Sequence, residues 1–251
     1  MNWEQRQLSI NLQSFIKSKT PTLKTHGQKL NVLFCDNHLL FINKPAGMLS
    51  QADHTGDADA LTLAKNYLKE KYDKPGEVFL GLVHRLDRPA SGVMVFARTS
   101  KAARRLFVQF KERTVEKYYM AIVHGKCPMQ GSCEDFLLKK DLKVTIVDKN
   151  VKGAQFARLD YRLLGYQNGY SLLEIKLATG RPHQIRVQLS AIGHPLVGDL
   201  RYGSQQPFDG KNLALHCFRL TVSHPTQNTR VTQTAPPAVL WNSYFNMNNF
   251  F

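Results

Sequence analysis

Several features of well-known protein classes are missing from this sequence. No apolar run comes near the roughly 20 residues that a membrane-spanning helix needs. The N-terminus lacks the hydrophobic core of a secretory signal peptide. We therefore expect a cytoplasmic protein without a membrane segment. Residues 1–30 are basic, with Glu4 as the only acid, so organellar targeting is the alternative and a plain N-terminal extension the simpler interpretation.

Motifs for metals and redox cofactors are also absent. None of the four cysteines belongs to a Cys-x-x-Cys pair, and no closely spaced histidine pair accompanies them. The sequence therefore predicts reduced thiols and no zinc site. It contains no glycine-rich dinucleotide motif either, and we expect the protein to work without a cofactor or a metal.

Acidic residues are scarce. The chain has 19 Asp and Glu against 34 Lys and Arg, which gives a net charge of +15. An excess of this size indicates a polyanionic partner, with nucleic acid as the first candidate and an acidic membrane surface as the second. Hydrophobic residues make up 43% of the 251 positions, enough for a sizeable core. Without a repeat or a clear linker, the simplest division is an extension, residues 1–30, and one domain, residues 31–251.

Strand patterns dominate the chain, with helical patterns between them. Helices are predicted at residues 60–72, from Thr99 or Ser100 to Arg113, and at 181–192, where Pro182 suits the first turn. Strands are predicted at 32–35, 38–44, 93–97, 118–123, 156–164, 170–178 and 213–222. The pair 156–164 and 170–178 forms a hairpin around Asn168-Gly169. This pattern predicts an α+β fold with a largely antiparallel sheet.

The segment His84–Gly92 carries the strongest chemical signal. Its carboxylate, Asp87, has Arg85 and Arg88 beside it and precedes the apolar run Val93–Ala97. Nearby positive charge favours an ionised carboxylate, which suits a nucleophile or a base in a cleft. The alternative is a structural aspartate paired with Arg85.

Two further segments carry polar groups that suit a polyanionic substrate. Thr179–Arg186 gathers two arginines, a histidine and an amide around a predicted helix start, which is typical of an anion site. In Lys117–Ala121, Tyr119 could stack on a base or move a proton, although a tyrosine alone is more often core packing. One face of the predicted helix from Ser100 to Arg113 is basic, with Lys101, Arg104, Arg105 and Lys111. A face exposed to solvent and a face that contacts phosphate are about equally good interpretations in a chain this basic.

Together, in this order, the three segments resemble the RluA-type pseudouridine synthases, enzymes that isomerise uridine within RNA. The segment His84–Gly92 is close to the family signature, and residues 180–187 match a second family motif. Further matches lie at 36–40, 43–47, 193–195 and 198–199. The resemblance covers about residues 31–240, and the co-occurrence of the motifs makes it specific.

The resemblance implies an α+β catalytic domain with an RNA-binding cleft across a mostly antiparallel sheet. It implies three catalytic residues: Asp87 as the catalytic aspartate, Tyr119 as the active-site tyrosine, and Arg186 as the partner of the aspartate. It also implies substrate or RNA contacts by His84, Arg85, Arg88, Arg181, His183, Gln184 and Val187. Among these, Val187 would lie near the target base, and Arg85 would help to extrude the uridine.

The chain departs from the family pattern in three places. Ala90 stands where many members have threonine, Pro182 replaces a common threonine or serine, and Gln188 replaces a common histidine. The last change concerns substrate recognition. Residues 1–30 are too short for the small RNA-binding domain of many relatives, so we expect the catalytic domain or a partner to select the target. Ribosomal RNA is the first candidate, transfer RNA the second, and we expect a monomer.

Three other functions compete with this interpretation. An RNA-binding module without catalysis would keep the basic surface but usually lose the aspartate, tyrosine or arginine of the site. A metal-dependent nuclease needs clustered carboxylates, whereas Asp53, Asp57 and Asp59 lie in one loop and are interpreted as loop polarity and a helix cap. A membrane-surface protein is disfavoured because aromatic and basic residues form no long amphipathic face.

Overall fold

A computed structural model describes residues 24–25 and 28–251, with side chains from residue 30 onward. The predicted N-terminal extension, residues 1–30, therefore lies almost entirely outside the described residues. The strands found are β1 (Lys24–Thr25), β2 (Gln28–Lys29), β3 (Asn31–Cys35), β4 (Leu39–Lys44), β5 (Gly81–Leu82), β6 (Ser91–Ala97), β7 (Glu116–His124), β8 (Gln130–Lys140), β9 (Lys143–Val147), β10 (Gln155–Gln167), β11 (Tyr170–Leu177), β12 (Leu215–Ser223) and β13 (Arg230–Thr234). The α-helices are α1 (Ala60–Lys71), α2 (Ser100–Lys111) and α3 (Gln184–Ala191), and two short 3-10 helices follow at Val239–Ser243 and Met247–Asn249.

Eleven of these strands form one sheet. Nine lie in the order β3-β4-β6-β12-β7-β11-β10-β8-β9, with β5 paired to β6 and β13 paired to β12. Every pair in this sheet is antiparallel except β6–β12, which is parallel. The predicted α+β fold with a largely antiparallel sheet is confirmed. None of the helices in residues 24–25 and 28–251 is long and apolar enough to cross a membrane.

The parallel pair β6–β12 depends on Gly92. The backbone there has φ +125°, and a Cβ atom would lie 2.3 Å from the carbonyl oxygen of Cys217 and 2.4 Å from its amide nitrogen. Any side chain would force the two strands apart, because real Cβ atoms do not come so close to backbone. Gly92 therefore allows β6 to join β12, and this contact fixes the end of β6 that follows the Asp87 loop.

The core lies on both faces of the sheet, as the twofold alternation of strand side chains requires. In β6, Met94 and Phe96 point into the cluster shared with α1 and α3, and Val93 and Val95 into the cluster shared with α2. The C-terminal segment packs over β7 and β12 on the same face of the sheet as α2. Trp241 is fully buried at the centre of this contact.

The ends of the helices test the sequence predictions closely. Thr99 caps α2 by accepting a hydrogen bond from the Ala102 amide, and Asp59 caps α1 through the Thr62 amide, as expected for one aspartate of that loop. The predicted start of α3 was wrong. His183 adopts a left-handed conformation with φ 49°, so Pro182 precedes the helix and α3 begins at Gln184.

Candidate active site

A basic cavity brings the three predicted segments together. Its volume is about 840 Å³, within the range of roughly 300–1,000 Å³ that is typical of ligand clefts. Residues 83–88 and Ala90 form one wall, residues 180–186 form another, and Lys117 and Tyr119 of β7 lie between the two in sequence and also line the cavity. Eight basic side chains line it against two carboxylates, Asp53 and Asp87; the basic residues are Arg85, Arg88, Lys111, Arg113, Lys117, Lys139, Arg181 and Arg186. This balance suits a polyanion.

Arg186 links two carboxylates. Its Nε and Nη2 atoms donate to Asp199 at 2.7 and 2.9 Å, and its Nη1 atom donates to Asp87 Oδ2 at 3.3 Å. The side chain of Asp199 is 1% exposed and that of Arg186 7%, whereas that of Asp87 is 31% exposed. The bidentate pair with Asp199 therefore fixes the guanidinium. Asp87 accepts from the third nitrogen, Nη1, and keeps one side open to the cavity.

Burial alone would lower the pKa of Arg186. The hydrogen bonds and charges of Asp199 and Asp87 outweigh that effect and raise the pKa above its usual value. The arginine is therefore a permanent positive charge beside Asp87. Asp199 was not among the site residues assigned from sequence. Its position in the matched motif 198–199 was the available signal, but a motif position alone does not reveal a contact with Arg186.

Tyr119 lies in the cavity lining on β7, two residues from Lys117 and therefore on the same face of the strand. Burial raises the pKa of the Tyr119 phenol well above its usual value, and Cys217 and Asp87 act in the same direction. Burial also lowers the pKa of the Lys117 ammonium. The tyrosine is thus a neutral phenol at physiological pH, with the Lys117 side chain on the same face of the strand.

The turn before α3 presents His183 to Asp87. Its Nδ1 atom lies 2.9 Å from the Tyr202 hydroxyl, and its Nε2 atom lies 3.9 Å from Asp87 Oδ2. Burial lowers the pKa of His183, although the charge of Asp87 opposes this. Gln184 shapes the turn, because its Oε1 accepts from Thr179 Oγ1 at 2.6 Å and from the Arg181 amide at 3.1 Å.

The remaining predicted RNA-binding residues have different surroundings. Arg85 is exposed at the cavity and has no hydrogen-bond partner among the described residues. Arg88 lines the cavity but binds Asp57 at 2.5 Å and the carbonyl of Gly47 at 3.0 Å. Arg181 lines the cavity and donates from Nε to the carbonyl of Phe156 at 3.0 Å.

Two of the predicted contact residues are engaged in packing. The Nε2 atom of His84 accepts from the Val95 amide at 3.0 Å, its ring stacks on Phe110, and burial lowers its pKa to about 3. Val187 is buried in a small cluster with Tyr202 and does not line the cavity. Successive side chains on an α-helix differ in direction by about 100°, so Val187 points away from the direction of Arg186. The apolar lining comes instead from Leu49, Leu86, Leu177, Ile185 and Leu215.

Lys44 holds the Asp87 segment from beneath. Its fully buried Nζ atom lies within hydrogen-bond distance of four backbone carbonyls that share its N–H donors, those of Pro45 at 3.0 Å, Met48 at 2.9 Å, Arg88 at 3.3 Å and Ala90 at 2.7 Å. Burial lowers the pKa of Lys44 to about 7. These contacts tie the residues that follow Asp87, Arg88 and Ala90, to the segment after β4, so that the backbone on that side of the carboxylate is fixed.

The comparison with known proteins identifies the family. Residues 38–191 match the family described as RNA pseudouridylate synthase. The chain belongs to this family. It is 36% identical over 205 residues to ribosomal large subunit pseudouridine synthase D of Nitrosomonas europaea, an alignment that covers 78% of this chain and 58% of that protein. It is 35% identical over 238 residues to tRNA pseudouridine synthase C of Haemophilus ducreyi, covering 87% of this chain and 95% of that protein.

Solved structures agree with the family and the fold. Human RNA pseudouridylate synthase domain containing 1 aligns with a TM-score of 0.67 and 26% identity over 88% of each chain. Human RNA pseudouridylate synthase domain containing 4 aligns with a TM-score of 0.72 over 87% of this chain and 92% of that one, and at 24% identity it supports the fold alone. The predicted membership in the RluA-type pseudouridine synthases is confirmed.

Proposed function

We propose that this pseudouridine synthase isomerises specific uridines of structured RNA and that Asp87 is its catalytic carboxylate. One observation carries the assignment to Asp87. It is a partly open carboxylate in a cavity with eight basic side chains, and the buried Arg186 holds it from behind at 3.3 Å. Asp53, the other carboxylate of the lining, is exposed and bonded to Thr55 in its own loop.

The reaction needs a nucleophile and a proton acceptor but no oxidant or group donor. The bond between N1 of uracil and C1′ of ribose breaks, the base turns, and C5 bonds to C1′. The proton on C5 leaves, and N1 gains a proton, so that atoms and charge balance. The Asp87 carboxylate is suited to attack the sugar carbon or to add to the base, and to be released later. Either route requires an ionised Asp87, and the Arg186 guanidinium faces this carboxylate at 3.3 Å.

Tyr119 supports the uracil ring in this proposal. A phenol whose pKa is raised stays protonated, so the free enzyme offers a stacking surface and a hydrogen-bond donor at this position. Lys117 lies on the same side and offers an amine that can donate a hydrogen bond to the detached base. Removal of a proton by Tyr119 would require the bound substrate to change the surroundings of the phenol.

RNA enters the basic cavity after the target uridine leaves its stack, at a cost of a few kcal/mol. Arg85 is exposed and free to fill the vacated space, and Arg181 and His183 lie where a phosphate or a base edge would approach. Of the other predicted contact residues, His84, Arg88 and Gln184 act mainly by shaping these walls, and Val187 packs outside the lining. Phosphate contacts by lysine and arginine make RNA affinity fall steeply with salt.

Ribosomal RNA is the first target that we propose and transfer RNA the second, because the relatives are named for one or the other. We also propose that residues 31–251 form the catalytic domain, that the protein acts as a monomer in the cytoplasm, and that it requires no metal or cofactor. Bacterial relatives that act on ribosomal and transfer RNA support the cytoplasmic site.

Carbodiimide mapping tests the activity. Unmodified ribosomal and transfer RNA transcripts are incubated with the purified protein, and pseudouridines are located as reverse-transcription stops after carbodiimide treatment. We expect stops at a small number of uridines. The same mapping across all cellular RNA, with and without the protein, identifies the natural target. RNA that is bound but never modified would support the alternative of an inactive RNA-binding module.

A further inference from the structure

Two phenylalanines near the cavity are exposed. Phe79 is 52% exposed and Phe107 58%. Phe107 lies on α2, and Phe79 lies just before β5, the strand packed beside that helix. A large apolar side chain that stays exposed does not gain the favourable free energy of burial. Two such side chains close together therefore indicate a binding surface.

The packing of β5 on α2 brings the two rings to one surface. A Cβ atom on Gly81 would lie 2.9 Å from the Cβ of Ala103 and 3.6 Å from the ring of Phe79. The ring of Phe79 therefore lies over Gly81 beside the helix. Phe107 is one helical turn beyond Ala103 on the same face. We call this surface, formed by Phe79, Arg104, Phe107 and Lys111, the α2 strip.

The α2 strip leads into the cavity. Lys111 follows Phe107 by one further turn, about 6 Å along the axis, and lines the cavity together with Phe110 and Arg113. Arg104 precedes Phe107 by three residues on the same face and is exposed. Between residues 100 and 113 the sequence has five basic residues and one acid, Glu112. Arg105 is held by the Pro225 carbonyl, and the other basic side chains remain available.

We infer that the α2 strip binds the RNA that flanks the target uridine, with unstacked bases on Phe107 and Phe79 and phosphates on Arg104 and Lys111. This inference rests on the proposed function, since it extends the same cavity. Aromatic rings interleaved with cations are suited to single-stranded nucleic acid, because every base can stack and every linkage carries a charge. A second copy of the chain is a poorer occupant, because a twofold contact places the same cations against each other.

Affinity for a labelled oligouridylate of roughly 16 nucleotides tests the strip, with a trinucleotide as the short probe. We expect Phe107→Ala to weaken binding of the long probe at least about fivefold, the lower bound for loss of one stacked base. Phe107→Trp retains the affinity, whereas Phe107→Leu keeps an apolar side chain without a ring face and weakens binding as the alanine does. Arg104→Gln makes the negative slope of log affinity against log salt less steep by about 0.7, as for one lost phosphate contact on a single strand.

Tyr166 supplies the matched control. It is 46% exposed, and the Lys126 ammonium lies 5.7 Å from the centre of its ring. It projects from the far end of β10 and does not line the cavity. Tyr166→Ala should leave the affinity for the long probe and the rate of pseudouridine formation at wild-type values. Thermal unfolding of each variant verifies folding, which an exposed substitution leaves intact.

Three outcomes would overturn the inference. Wild-type affinity in Phe107→Ala and Phe79→Ala would remove the strip as an RNA site. Equal loss of affinity for the trinucleotide would place the effect in the cavity. A change in the mass of the RNA-free protein on size-exclusion chromatography, without a change in RNA affinity, would indicate a protein contact instead. Absence of pseudouridine in reactions with the wild-type protein would count against the proposed function alone, because the strip is tested by binding.

Discussion

The Nη1 atom of Arg186 lies 3.3 Å from the Oδ2 atom of Asp87, although 99 residues separate them in the chain. Arg186 sits on α3, and Asp87 in the loop before β6. The pair meets because α3 packs in the core cluster that also takes residues from β6 and from the Asp87 loop. Asp199 holds the other side of the guanidinium, so that the contact has a defined direction.

Asp87→Asn should abolish pseudouridine formation and leave RNA binding largely intact. The amide is nearly isosteric with the carboxylate but cannot act as a nucleophile, so we expect turnover to fall by at least about 10³-fold. Single-turnover assays and filter binding measure the two effects separately. Asp53→Asn is the control, because it removes the other carboxylate of the lining and should change turnover little. Substantial turnover by the purified Asp87→Asn protein would contradict the assignment.

Asp199→Asn should reduce both stability and turnover. The substitution leaves the buried Arg186 with one carboxylate partner, and breaking a buried ion pair costs about 3–5 kcal/mol of unfolding free energy. Urea unfolding gives the loss of stability, and single-turnover rates give the loss of activity. Glu134→Gln, which removes an exposed partner of Arg158, should cost less than about 1 kcal/mol. Equal costs for the two variants would show that Arg186 does not depend on Asp199.

Tyr119→Phe should lower turnover more than RNA affinity, because the ring remains for stacking and only the hydroxyl is lost. Since the pKa of Tyr119 is raised, its ionisation should produce no inflection in the rate between pH 6 and pH 9, and wild-type and variant profiles should have the same shape. Tyr118→Phe is the control. The Tyr118 ring packs under Arg219 on the other face of β7. Wild-type turnover by Tyr119→Phe would show that the hydroxyl is dispensable.

His216 should make the protein less stable in mild acid. Its buried ring bonds to the Ser91 hydroxyl and the Ala235 carbonyl, and burial lowers its pKa to about 4. Between the unfolded pKa of about 6.5 and the folded value, only the unfolded chain takes up the proton, so the free energy of unfolding decreases as pH falls. From pH 7 to pH 5 this group should cost about 2 kcal/mol.

Urea unfolding of the wild type and of His216→Asn at both pH values measures this contribution. The difference between the two proteins should shrink by about 2 kcal/mol from pH 7 to pH 5, since the asparagine does not titrate. His84, whose pKa is lowered to about 3, acts in the same direction in both proteins and cancels in the comparison. A difference that stays constant with pH would mean that the His216 ring is accessible to protons in the native state.

Local patterns in the sequence predicted most of the secondary structure correctly. The hairpin at Asn168-Gly169 and the capping residue Thr99 depend on neighbours within a few positions, which a sequence displays directly. The start of α3 was misplaced, because the left-handed backbone of His183 is set by its contact with Tyr202 and by the bonds of Gln184. Strands β8, β9 and β13 were not predicted. They alternate weakly, with many exposed polar positions.

The sequence also identified some residues of the candidate site and missed others. Asp87, Tyr119 and Arg186 were selected from sequence, and all three line one cavity. Asp199 was missed as the anchor of Arg186, and Val187 was assigned to the base although it packs away from the cavity. Both depend on the direction of side chains on α3, which a motif does not specify.

The sequence by itself determined the family, the reaction class and the basic character of the molecule, because these follow from residue types at fixed local spacing and from total charge. Only the tertiary structure decided which groups meet. The parallel pairing of β6 with β12 through Gly92, the fork of Arg186 between Asp87 and Asp199, and the exposed rings of the α2 strip join residues far apart in the chain. Such contacts arise from long-range packing, whose geometry is fixed only when the whole core is assembled.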